Sequence, residues 1–111
     1  MKKYKVKLTE YAENQLSDIL NYIAVTLASP ITAKNWLSNM KKQMSQLSFM
    51  PQRVVLTDEE PWRSRGIHKL VVKNHLVYFW IDEDHSVVWV IAIVYGRMDQ
   101  TEQLKRIDFE L

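Results

Sequence analysis

Cysteine is absent from this chain of 111 residues, and glycine and proline are scarce, with two and three copies. Without cysteine the protein has no disulfide and no thiolate metal site, and nothing requires an oxidising compartment. The low glycine and proline content and the 47% of hydrophobic residues exclude a disordered or low-complexity chain. The composition therefore predicts a single globular domain over residues 1–111.

Long hydrophobic runs and a strong charge of one sign are also missing. The longest apolar stretch, Val87–Tyr95, is much shorter than the ~20 residues of a membrane-spanning helix. The basic start, Met1 to Lys5, is not followed by the apolar core of a signal peptide. The net charge of +2 does not by itself indicate a nucleic-acid binder. We expect a cytoplasmic protein with no membrane contact.

Several familiar kinds of catalytic site are missing as well. The spacings of His68, His75 and His85 do not suit adjacent zinc ligands, and no strong cluster of acids joins them. There is no glycine-rich phosphate loop, and Ser64 lacks an evident base and orienting group. We therefore expect neither a metal nor a cofactor.

In the first half of the chain, a short segment of alternating apolar and basic residues is followed by two segments with helical spacing. Lys3 to Leu8 places apolar residues and lysines on opposite sides, which predicts a half-buried edge strand. Thr9 is a candidate N-cap for an amphipathic helix that ends near Leu27 or Ala28. Ser29 and Pro30 open a second helix that ends at Met50-Pro51, so the two form an antiparallel αα-hairpin.

The second half of the chain reads as strands. The segments Ile67–Val72, Leu76–Asp82 and Val87–Tyr95 are separated by short turns and predict an antiparallel meander. A short strand at Val54–Leu56 and a helix within residues 101–111, bearing Leu104 and Ile107, are further expectations. The predicted fold is α+β with the order β-α-α-β-β-β and a C-terminal helix or tail. The hairpin packs on one face of a small, twisted, mainly antiparallel sheet, and the other face is partly open.

This order of elements carries a set of short motifs spread over nearly the whole chain. They are Leu8-Thr9-Glu10 with Ala12, Tyr22-Ile23-Ala24, Ser29-Pro30 with Ala33, Leu47 with Met50-Pro51-Gln52-Arg53, Gly66-Ile67-His68-Lys69-Leu70, Val77-Tyr78-Phe79, and Tyr95-Gly96-Arg97-Met98-Asp99 with Leu104. In their joint order and spacing they resemble the RelE/ParE superfamily, the toxins of bacterial type II toxin–antitoxin systems.

The resemblance implies a small toxin that arrests growth unless a cognate antitoxin binds it in a hetero-oligomer. RelE-like members cleave messenger RNA in the ribosomal A site without a metal, through attack by the RNA 2′-hydroxyl. ParE-like members inhibit DNA gyrase and are not nucleases. The expectation favours ribosome-dependent mRNA cleavage, with gyrase inhibition as the alternative. A degenerate toxin that only binds its antitoxin is the third.

Four residues are the candidate catalytic groups under the nuclease interpretation. Arg97 matches the arginine at the end of the family's last strand and would hold the phosphate, because its planar fork donates two parallel hydrogen bonds. The alternative is a role outside catalysis, in which Arg97 pairs with Asp99 or with an acidic tail of the antitoxin. His75 stands where RelE-like nucleases commonly carry an arginine. Tyr95 would orient the 2′-hydroxyl or donate a proton, and Lys69 lies near a lysine pair of the RelE-like enzymes.

Four more basic residues are candidates for contact with RNA or another target: Arg63, Arg65, His68 and Lys73. His68 and Lys69 are adjacent in a strand, so at most one of them serves the site. Trp62 beside the two arginines suggests an exposed interface aromatic. Under the gyrase interpretation, Arg97 and this basic loop are recognition residues instead of catalysts.

Overall fold

A computed structural model describes residues 2–96 and 104–105. Two helices pack on one face of a four-stranded sheet, and the α+β prediction is confirmed. The elements in chain order are β1 (Lys5–Leu8), α1 (Glu10–Asn21), α2 (Pro30–Ser45), β2 (His68–Val72), β3 (His75–Asp82) and β4 (Val87–Tyr95).

The sheet has the strand order β1-β4-β3-β2, so β1 and β2 form its edges. Strand β1 runs parallel to β4, and the chain between them contains the helical hairpin, β2 and β3. The other two pairings are antiparallel. The prediction that the lysine-bearing first strand is an edge strand is confirmed. A register shift at Tyr78/Phe79 leaves Ile91 as an extra residue in β4.

The helical hairpin differs in detail from the sequence prediction. Thr9 caps α1 as expected, since its Oγ1 accepts a hydrogen bond from the Ala12 amide at 3.2 Å. The last turn of this helix, Tyr22–Thr26, is a π-helix. Ser29 sits at the N-cap of α2, but its hydroxyl donates to Thr32 Oγ1 instead of capping a backbone amide.

The link from α2 to β2 forms short turns in place of the predicted strand. After α2 come 3₁₀ turns at Gln46–Ser48 and Pro51–Arg53, separated by Met50 with a left-handed φ of 47°. The segment 54–56 does not form a full strand. It makes one bridge, Leu56 to His68, and one hydrogen bond, from the Lys69 amide to the Val55 carbonyl.

Each face of the sheet has its own hydrophobic core. On the face we call the helix-side face, Val77, Phe79 and Val90 pack against Ala12 and the methionines of α2. On the opposite, outer face, the core comprises Trp62, Ile67, Leu76, Tyr78, Ile91, Ala92, Val94 and Leu104. The expectation that Trp62 is an exposed interface aromatic is wrong. The loop folds back and buries this side chain to 5% exposure.

Some of the sequence predictions fall on residues that the structure does not describe. Arg97, Met98 and Asp99 are outside the described residues, as is most of the predicted C-terminal helix. Of that helix, Leu104 and Lys105 are described and are helical, and Leu104 is fully buried in the outer core.

Candidate functional site

His75 and Tyr95 meet at one end of the sheet. They are register partners on β3 and β4, and their rings stack with centroids 5.7 Å apart. On the other side of His75, Trp36 of α2 makes an edge contact at 5.1 Å. Two of the four catalytic candidates are thus brought together on the helix-side face.

The surroundings of His75 disfavour its charged form. Its Nδ1 atom is buried and has no hydrogen-bond partner among the described residues. Burial lowers the pKa of the imidazole below its usual value, because the enclosed ring is poorly solvated when charged. A neutral histidine lacks the positive charge that would attract a phosphate.

Lys69 lies on the outer face, away from His75. It is the register partner of Tyr78, whose side chain belongs to the outer core. The Lys69 ammonium lies 3.9 Å from the Glu59 carboxylate, and both side chains are 18% exposed. The nearby Tyr78 hydroxyl is buried and has no hydrogen-bond partner among the described residues. Its pKa is raised, mainly because of burial and also because the negative charge of Glu59 lies nearby. The structure therefore does not bring Lys69 to the His75–Tyr95 pair.

His68 occupies the helix-side face and has contacts typical of a structural residue. Its ring stacks almost parallel on Phe79, with centroids 4.9 Å apart. Its Nδ1 lies 2.7 Å from the Val54 carbonyl oxygen and ties the incoming segment to β2. The prediction that His68 and Lys69 face opposite sides is confirmed.

The remaining basic candidates lie in loops. Arg63 Nη1 donates to the Thr57 carbonyl at 3.4 Å and lies 3.9 Å from Asp58, so it fastens its own loop. Arg65 lines a pocket on the outer face. Lys73 is an exposed turn residue with a φ of 54°. These three residues do not converge with His75.

Arg97, the strongest sequence candidate, lies outside the described residues. Gly96 is the residue before Arg97, and its amide donates a hydrogen bond to the Asn74 carbonyl at 2.8 Å. A Cβ at Gly96 would lie 3.2 Å from that oxygen, which accounts for glycine at this close approach. Arg97 follows in sequence directly after this contact and the His75–Tyr95 pair.

The outer face holds a pocket that sequence reasoning did not identify. Trp80 and Trp89 are direct cross-strand partners there and are only partly buried. They line a cavity of about 600 Å³ together with Lys7, Arg65, Ile67, Asp82, His85, Val87 and Ile91. Lys7, Trp80 and Trp89 are register partners on the neighbouring strands β1, β3 and β4. The sequence contains these residues, but their proximity is evident only once the pairing register of the strands is known.

Two further features bear on function. Within residues 2–96 and 104–105, no three histidine or acidic side chains are grouped as a metal site would require. No helix in these same ranges is long and apolar enough to cross a membrane.

Solved toxin structures share this fold. The chain resembles the chromosomal ParDE toxin–antitoxin system of P. aeruginosa with a TM-score of 0.69 and 17% identity, covering 86% of this chain and 98% of that one. For the RelBE2 toxin–antitoxin complex of Mycobacterium tuberculosis, the TM-score is 0.58 and the identity 19%, covering 86% and 93%. A free E. coli RelE mutant gives 0.61 and 13%, covering 94% and 97%.

Sequence comparison gives the family itself. No curated protein sequence matches the chain. A family model described as the ParE toxin of the type II toxin–antitoxin system parDE matches residues 6–100, which include both helices and all but the first residue of the sheet. The chain therefore belongs to the ParE toxin family of type II toxin–antitoxin systems.

Proposed function

We propose that this toxin arrests growth by inhibiting DNA gyrase, without cleaving RNA, and that a cognate antitoxin neutralises it in the cytoplasm. One observation carries the choice of target. Lys69 and His75 lie on opposite faces of the sheet, and His75 is enclosed by Trp36 and Tyr95. A nuclease of the RelE type needs several cations on one phosphate, and the described residues do not supply that arrangement.

The family match supports the same choice, since ParE-like members of the superfamily are gyrase inhibitors. Arg97, which follows the last strand in the sequence, then acts in recognition of the target. This role needs neither a lysine beside it nor a tyrosine able to donate a proton.

Ribosome-dependent mRNA cleavage is the second candidate, and one feature favours it. His75 and Tyr95 stack at one end of the sheet, and Arg97 follows Tyr95 by two residues in the sequence. The fourth, Lys69, faces the other side. A toxin that only binds its antitoxin is the remaining alternative.

The antitoxin is proposed from the relatives. The ParDE and RelBE2 structures are of toxin–antitoxin systems. The hairpin tip of this chain exposes four large apolar side chains: Tyr22, Val25, Leu27 and Ile31. Exposed apolar groups of this size in one region suit a surface that a partner covers.

The experiment that tests the target is induction of the chain without an antitoxin, with 5′ ends of cellular mRNA mapped within minutes. We expect growth arrest and an SOS response with mRNA intact. New 5′ ends inside translated codons, absent with Arg97→Ala, would replace this proposal with the nuclease. No growth arrest would leave the antitoxin-binding module.

A further inference from the structure

The pocket between Trp80 and Trp89 lies at the opposite end of the sheet from His75 and Tyr95. Trp80 is five residues along β3 from His75, a separation of roughly 17 Å in an extended strand. An odd number of steps along a strand also places the two side chains on opposite faces of the sheet. The pocket therefore does not belong to the site discussed above, and its ligand is a separate question from the target of the toxin.

A row of three side chains crosses the sheet at this pocket. Lys7 on β1, Trp89 on β4 and Trp80 on β3 are register partners, so all three share the outer face. Because neighbouring strands are about 4.8 Å apart, the row is roughly 10 Å long between its outer Cα atoms. Both indoles are only partly buried, whereas Tyr78 and Trp62 on the same face are buried. The row therefore offers aromatic surface that a ligand can cover.

The floor of the pocket is built from core residues. Val87 and Ile91 of β4 and Ile67 of the preceding loop line it and are almost fully buried. The loop backbone lies against the edge of Trp80, since a Cβ at Gly66 would be 3.7 Å from its Cδ1. The cavity of about 600 Å³ falls within the range of roughly 300–1,000 Å³ that is usual for small-molecule sites. An apolar cavity of this size accommodates a ligand of one or two fused rings.

The rim on the β1 side carries an uncompensated positive charge. The Lys7 ammonium lies over the Trp89 ring, 5.8 Å from its centroid. It forms no ion pair with any residue that the structure describes. Lys5 lies two residues earlier on the same side of the strand, about 7 Å away, and adds to the positive field. This rim therefore attracts an anionic group.

The acid that lines the pocket does not cancel this charge. Asp82 is on β3, two strands away from β1, and His85 engages both of its carboxylate oxygens. The His85 amide donates to Oδ1 at 3.2 Å, and Nδ1 of the ring lies 2.8 Å from Oδ2. The cation of Lys7 and the apolar floor thus remain the two features that select a ligand.

We propose that this pocket binds a small, planar aromatic carboxylic acid as a free molecule. Its ring lies on the apolar floor against Trp80 and Trp89, because flat aromatic surfaces make favourable stacked or edge contacts with each other. Its carboxylate pairs with Lys7 at the rim. A neutral aromatic molecule leaves the lysine unpaired, and an aliphatic acid lacks the ring contacts. A nucleotide fits less well, because the polar edges of its base find few partners on this floor.

The test follows the indole N–H signals of the isotope-labelled protein by NMR while 2-naphthoate is added. The chain has four tryptophans, and Trp80→Phe and Trp89→Phe assign the two signals of interest. We expect these two signals to shift saturably, whereas the signal of Trp36, on the other face, stays in place. Matched probes are 2-naphthamide, which lacks the charge, hexanoate, which lacks the ring, and adenosine monophosphate. Each should bind more weakly by about threefold or more.

A substitution at the rim tests the role of the charge. Lys7→Met keeps an apolar stem of similar length and should lower the affinity for 2-naphthoate toward that for 2-naphthamide, without changing the latter. Lys41→Met, on the exposed side of α2, should alter neither affinity.

Three results would each overturn the proposal: unshifted Trp80 and Trp89 signals, equal binding of hexanoate or adenosine monophosphate, and undiminished 2-naphthoate affinity in Lys7→Met. These measurements involve neither gyrase nor mRNA nor an antitoxin, so the target proposal is tested separately.

Discussion

Lys69 on β2 and His75 on β3 project from opposite faces of the sheet. Lys69 is held toward Glu59 under the loop, and His75 packs against Trp36 of the helical hairpin. A single phosphate cannot contact both side chains. This relationship separates two residues that the resemblance to RelE-like nucleases would have placed in one site.

Replacement of Lys69 tests the consequence directly. We expect Lys69→Ala to retain growth arrest, because the residue faces away from the strand end that leads to Arg97. The lost ion pair with Glu59 should lower the free energy of unfolding by about 1 kcal/mol. Lys73→Ala, at an exposed turn, is the matched control for both measurements. Loss of toxicity in a folded Lys69→Ala protein would restore the lysine to the site.

Replacement of Arg97 should abolish growth arrest under either target. We expect Arg97→Ala to leave antitoxin binding largely intact, since it removes one cation after the last strand. Growth curves under induction and co-purification with the product of a neighbouring reading frame measure the two properties. A fully toxic Arg97→Ala protein would show that the proposed recognition residue is wrong.

Acid should destabilise the protein through His75. Burial lowers the pKa of His75 in the folded state, so the unfolded chain binds the extra proton first. Stability should therefore start to fall as the pH drops through about 6.5, and this loss should level off below the folded-state pKa. Thermal unfolding between pH 7.5 and 5.5 measures it.

Two variants isolate that effect. His75→Phe keeps an aromatic ring between Trp36 and Tyr95 and should reduce the pH dependence. Tyr95→Phe leaves the histidine enclosed and should keep it. An unchanged pH slope in His75→Phe would mean that another group causes the acid sensitivity.

Trp62 should behave as a core residue. It is 5% exposed and packs in the outer core with Ile67 and Leu104. We expect Trp62→Ala to lower the free energy of unfolding by about 3–5 kcal/mol, measured by urea denaturation. Tyr22→Ala at the exposed hairpin tip should change it by less than about 0.5 kcal/mol. A Trp62→Ala variant of normal stability would argue for a surface role after all.

Local patterns predicted the strands well. The bounds of Val87–Tyr95 agree with β4, and the β1 alternation gave both its buried side and its edge position. These features depend on the local alternation of apolar and polar residues and not on contacts between distant parts of the chain. The π-helical turn at Tyr22–Thr26 was missed because its sequence continues the helical pattern without a break.

The features that the sequence could not predict depend on long-range contacts. Trp62 lies among charged residues and reads as exposed, but its loop crosses the outer face and buries it. The Trp80–Trp89 pairing depends on the register between β3 and β4, which includes a bulge. The separation of Lys69 from His75 likewise follows from the register of β2 on β3.

The most direct test of the central claim is a DNA supercoiling assay with purified gyrase and this purified toxin. The account predicts that the wild-type protein inhibits supercoiling and that Arg97→Ala does so much less. Normal supercoiling at toxin concentrations that saturate growth arrest, with mRNA cut inside codons in the same cells, would contradict it.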